Sequence, residues 1–152
     1  MPYTTADARQ QLLDTLADAT EQLGVALSSL SEAYEGLDEA TAETLERELF
    51  RPVQIAYGRA RRTHTGFAER HDLPARQFAT AVPGAPARGA RGFIDDAVRA
   101  VAAADGTLAT LQDSMLPIEV GDPQLRAGLQ DVRSRIGDLG ARARELTRTL
   151  GR

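Results

Sequence analysis

Apolar residues recur along the last stretch of the chain at alternating intervals of four and three. Leu125, Leu129, Val132, Ile136, Leu139, Ala143, Leu146 and Leu150 therefore fall on one stripe of a helix. Asp122 suits the N-cap, Pro123 the first helical position and Gly151 a left-handed turn past the end, which predicts a helix over 123–150. At ~1.5 Å per residue it would be about 42 Å long. So narrow a stripe is stable only when other apolar stripes cover it.

Three further segments offer such stripes. Leu16, Leu23, Leu30 and Leu37 repeat every seven residues, with Leu12, Ala19, Ala26, Ala33 and Ala40 as seam companions and Leu13, Leu27 and Tyr34 widening the face. This predicts a first helix over 5–35, with Thr4 and Asp7 at capping-box spacing. Gly36 suits its end, and Asp38 or Thr41 the start of a second helix over 39–71, whose inner side carries Leu45, Leu49, Val53, Ala56, Ala60, Thr63 and Phe67. Pro52 in its interior predicts a kink or break. A third helix over 91–116 follows from Ala90, Ile94, Ala97, Val101, Ala104, Leu108, Leu111 and Met115, with Pro117 stopping it.

The connections order these helices. Short links after the first and third helices predict antiparallel neighbours, whereas 72–92 is punctuated by Pro74, Pro83, Pro86, Gly84, Gly89 and Gly92 and reads as a long crossover. The expected fold is all-α: one domain, 1–152, forming an up-down-up-down four-helix bundle with the crossover loop between helices 2 and 3.

Charge sharpens this expectation. The chain has 152 residues and a net charge of -4, its 18 basic residues are all arginine, and it has no cysteine. Residues 1–48 and 93–125 are net acidic, while 49–92 and 126–152 are net basic. If sequential helices are adjacent and the fourth closes on the first, every neighbour is opposite in sign. The missing cysteines exclude disulfides, thiolate nucleophiles and cysteine-ligated metals; the missing lysines exclude Schiff-base chemistry. No window reaches the ~18 apolar residues of a membrane span, and the first ten residues lack a basic and an apolar region, so a cytoplasmic protein is expected. The acidic balance argues against nucleic acid and anionic membranes as partners.

Candidate chemistry is sparse. A di-iron bundle needs Glu-x-x-His repeats, which are absent; His64 and His71 lie seven apart near Glu69 and Asp72, but the other seams offer only apolar residues. No metal or cofactor is expected. Ser28, Ser29 and Ser31 have no histidine in their helix, and the run Gly84–Gly92 lacks the Lys-Ser/Thr ending of a phosphate loop. Several glycines lie inside predicted helices, and Gly140, flanking Ile136 and Ala143, marks the expected close helix crossing. The residues specify helix packing and no catalytic group. The leading expectation is thus a non-enzymatic interaction or scaffold module that self-associates or binds a helical protein. The alternative is a regulatory bundle that binds a small anion through Arg70, Arg88 and Arg91, gathered near the crossover and the exposed amides of the third helix.

Overall fold

A computed structural model of the chain describes residues 5–79 and 89–150, and all their regular structure is helical. The elements are α1 (Thr5–Glu35), α2 (Glu39–Leu45), a π-helical turn (Glu46–Phe50), α3 (Arg51–Arg70), α4 (Gly89–Asp113), α5 (Leu116–Val120), α6 (Pro123–Ile136) and α7 (Leu139–Leu150). None is long and apolar enough to cross a membrane. Thr4, expected to cap α1, lies outside the described residues, as does Gly151.

Helix ends follow local chemistry. Gly36 closes α1 by donating its amide to Ala33 O at 3.1 Å, without the left-handed backbone expected of a terminal glycine, which occurs instead at Gly89 and Gly121. Asp38 caps α2, accepting from the Thr41 amide at 2.9 Å and the Thr41 hydroxyl at 3.0 Å. The expected end of the third helix at 116 shifts to Asp113, and the cause is Ser114. Its hydroxyl donates to Leu111 O at 2.7 Å and accepts the Leu116 amide at 3.3 Å, turning the chain into α5. Pro117 therefore starts a short helix, where its missing N–H costs nothing.

Where Pro52 predicts a kink or break, the helical run from Glu39 to Arg70 is interrupted by a π turn. An ordinary helix would aim the Glu48 carbonyl at the proline ring, which has no N–H to meet it. The chain instead inserts the π turn just before, where the Arg51 amide reaches back to Glu46 O. The stranded Glu48 carbonyl accepts a bond from Arg142 Nη1 of α7 at 3.4 Å. The predicted last helix is likewise two pieces, α6 and α7, interrupted after Ile136, where Gly137 and Gly140 weaken helical propensity. The two interruptions face each other: Arg47, Arg51, Pro52 and Ile55 share a groove with Ser134, Arg135, Asp138 and Arg142.

The apolar seams form one core. Leu12, Leu16, Leu23, Leu30, Leu45, Leu49, Phe67, Ile94, Leu108, Leu125 and Leu129 are essentially inaccessible. Tyr34 and Met115, expected on buried faces, are exposed. The packing order differs from the expected one. α1 lies chiefly on α4 and then on α3, and α6 lies chiefly on α3 and then on α4, whereas α1 with α6 and α3 with α4 are not principal neighbours. Directions follow from contacts at the two ends. Gly36 at the end of α1 meets Ala90 at the start of α4, while Gln11 and Thr15 near the other end share a groove with Thr110 and Ser114. Arg59 pairs with Asp131 and Arg70 with Asp122, so α3 and α6 are antiparallel. Since α1 is antiparallel to both α3 and α4, those two point the same way. The expected up-down-up-down alternation therefore fails at the crossover, and the acidic segments 1–48 and 93–125 become close neighbours. Apolar burial decides this pairing, because individual surface ion pairs contribute only about 0–1 kcal/mol.

Candidate functional site

The reversed direction of α4 separates the residues expected to hold an anion. Arg91 is exposed in the first turn of α4, at the Gly36 end. Arg70 ends α3 at the far pole, and Arg88 lies outside the described residues. The expected convergence required the end of α3 and the start of α4 to share a pole; with the two helices parallel, those ends lie at opposite poles. Arg70 is also engaged already, donating to Asp122 through Nε at 2.9 Å and Nη2 at 3.0 Å.

That pairing belongs to a clasp at the start of α6. Asp122, 5% exposed, caps the helix by accepting the Leu125 amide at 3.0 Å, and it bonds His71 Nε2 at 2.9 Å. Its carboxylate thus joins the end of α3 to the start of α6 through both oxygens. Burial alone would raise the Asp122 pKa, but the bonds from Leu125, His71 and Arg70 outweigh it and hold the carboxyl below its ordinary value. The ring of His71 also lies against Phe67, with centroids 4.4 Å apart. Sequence reasoning recognised Asp122 as a cap but not as the hub of this clasp. Its partners lie 51 and 52 positions away, and no local pattern reports such a pairing.

His64 occupies the opposite kind of environment. It is fully buried on α3, and neither ring nitrogen has a hydrogen-bond partner. The segment Leu73–Ala79 doubles back over it, placing Phe78 edge-on to the imidazole with centroids 5.0 Å apart. The segment is pinned to α1 by Arg76, whose Nη1 donates to Asp18 Oδ1 and Glu21 Oε1, each at 3.0 Å. Burial pushes the His64 pKa below its ordinary value, Arg76 pushes the same way, and Asp14 opposes them. This arrangement was visible in sequence only as a histidine flanking the Thr63 and Phe67 seam. The covering residues sit in the crossover, where the sequence suggests a helical turn over 75–81; 73–79 hold no regular structure.

Glycines mark the close contacts. At Gly128 of α6 an added Cβ would collide with the Thr63 side chain, Oγ1 and Cγ2 included, so α3 and α6 approach closely here. At Gly140, the expected close crossing within the monomer or across a dimer, the neighbour within the chain is Arg144 Nη1 at 3.6 Å. Gly58 and Gly66 likewise each lie under the guanidinium of the arginine four residues on, Arg62 and Arg70.

No group of three or more His, Asp or Glu side chains capable of holding a metal occurs among the described residues. Open grooves lie on the surface of the described residues. One of about 550 Å³ runs between α2 and α7, lined by Ala40, Thr44 and Leu146 together with the charged Glu48, Arg142 and Glu145. Another, of about 380 Å³, opens beside the clasp. The chain matches no known family model, no curated protein and no solved structure.

Proposed function

We propose that the chain is a non-enzymatic helical interaction module, a four-helix bundle with a long crossover, that self-associates through the groove between α2 and α7. The observation that carries this reading is the make-up of that groove. Its floor is largely apolar, and its edges hold both signs of charge in Glu48, Glu145 and Arg142. A two-fold interface brings each edge against its own copy turned around, so a surface bearing acid and base together is self-complementary. The core favours the same reading. Among the described residues, leucine and alanine seams make up the interior, as expected of a bundle whose surfaces make the contacts. Against the anion-binding alternative, Arg70 is engaged by Asp122 and Arg91 lies at the other pole from it.

Sedimentation over a concentration series tests the proposal. The expected result is a shift from 16.3 kDa toward about twice that mass. Ala40→Arg, at an exposed position on the groove floor, should abolish the shift while leaving helicity intact. A monomer at every concentration up to the millimolar range rejects self-association. A dimer unaffected by Ala40→Arg rejects this groove.

A further inference from the structure

We propose that Leu73–Ala79 is an acid-released strap, closed over His64 while that imidazole is neutral and opened when it takes a proton. The inference is independent of self-association and concerns a different face of the molecule.

The geometry has three parts. The first is a fully buried imidazole whose two nitrogens meet no acceptor or donor, so a proton added there would leave an imidazolium without a hydrogen-bond acceptor. The second is the cover. Phe78 lies against the ring, and the segment that carries it belongs to no helix. The third is the tether. Arg76 is held by side chains on α1 that are more than half exposed, and such pairs hold weakly. Leu73 anchors the base of the segment, donating its amide to Ala68 O at 2.8 Å and packing against the core. Beyond that anchor the Phe78 contact and the exposed Arg76 ion pairs hold it, so 74–79 can swing away without unfolding the helices beneath.

The charges around the ring settle the direction. From the strap, Arg76 repels an imidazolium. From α1, Asp14 attracts it, but Asp14 also lies 4.0 Å from Arg76, and Asp18 and Glu21 are bonded to that arginine. From α6, Gly128 meets the uncharged Thr63 beside His64. On α3 itself His71 and Arg70 are bonded to Asp122. Burial and Arg76 thus oppose protonation in the closed form, while an open ring would be free to take a proton from water.

The sign follows. A histidine whose folded pKa is depressed binds fewer protons closed than open, so the closed form is fully favoured above about pH 6.5 and loses ground as pH falls. Below that value the closed-to-open ratio should drop about tenfold per pH unit until the closed ring itself titrates. Release would uncover Phe78, the ring of His64 and the acids of α1 together.

The wild-type protein carries the test, because its two histidines give two imidazole signals, assignable with His71→Gln. At about pH 7.5 a cross-peak between the Phe78 and His64 rings is expected; it should vanish in step with the His64 titration, while far-ultraviolet circular dichroism stays constant. Because the chain has no tryptophan, Phe78→Trp supplies a single reporter whose emission should shift to the red over the same range. Adding His64→Leu to that reporter should remove the shift, and adding His71→Gln should not. A ring cross-peak that persists with His64 charged overturns the proposal, as does an emission shift that survives His64→Leu. The wild-type cross-peak decides the matter even if either substitution fails to fold.

Discussion

α1 lies along α4 with neither helix interrupted over 31 and 25 residues, whereas α3 and α6 meet as parts of rods that are both irregular, one at the π turn and the other after Ile136. The uninterrupted pair joins two acidic segments, and among the described residues no ion pair links them; both buried faces are rich in alanine. The interrupted pair is laced by Arg59 with Asp131 and Arg70 with Asp122, and extended by Arg142 with Glu48. The contrast teaches what each term does in this fold. Regular small-and-large seams suffice to hold two helices of like charge together. Where the backbone departs from regularity, polar side chains take up the groups left over, as Arg142 does for the carbonyl that Pro52 cannot satisfy.

The largest expected effect lies in the uninterrupted pair. Leu23→Ala empties a fully buried site on α1 and should cost about 2–5 kcal/mol in denaturant unfolding. A loss below about 1 kcal/mol would show that the seam is not the main source of stability there.

On the interrupted pair, Asp122→Ala removes a helix cap and strands His71 and Arg70 at once. The expected loss is about 2–3 kcal/mol near neutral pH. The folded carboxyl is held below its ordinary value, so its contribution is complete above about pH 4 and disappears as pH falls through the folded value. Wild type and variant should converge in acid. A gap that stays constant from neutral pH into strong acid contradicts the clasp.

These two expectations show how the sequence divides. The seams were legible because spacing by threes and fours reports burial whatever the neighbour, and the residues of the Leu125-to-Leu146 run are buried as the pattern required. The ends of helices were legible where one residue decides them, as at Asp38 and Asp122, and misplaced at 113–116, where Ser114 and Leu116 cooperate. The pairing of helices was not legible. Alternating charge suggested one order, but surface charge is too weak to choose between arrangements that bury the same seams. Direction was lost with it, and so were the positions of Arg70 and Arg91. His64 was visible as a residue beside a seam, while its cover, Phe78, had no periodicity to announce it.

Two glycine substitutions give the smallest effects and opposite signs. Gly128→Ala drives a methyl into the β-branched Thr63 across the α3/α6 crossing and should cost about 1–3 kcal/mol, with Thr63→Ala recovering most of it. Gly106→Ala on α4 meets nothing within 4 Å and should stabilise by about 0.5–1 kcal/mol. Thermal unfolding of the two variants side by side checks the pair; equal shifts would remove the distinction between them.

The central claim is that apolar packing sets α1 against α4 in an antiparallel pair despite their shared charge. A cross-link tests it directly, since the chain has no cysteine of its own. A Cβ at Gly36 would lie 3.7 Å from the Ala90 Cβ, within the span a disulfide accepts. Gly36→Cys with Ala90→Cys should oxidise within one chain to a monomeric, helical protein with a raised melting temperature. In the alternating arrangement that charge suggested, those positions would stand at opposite poles, about 40 Å apart. Free thiols after oxidation, or links formed only between chains, would contradict the account.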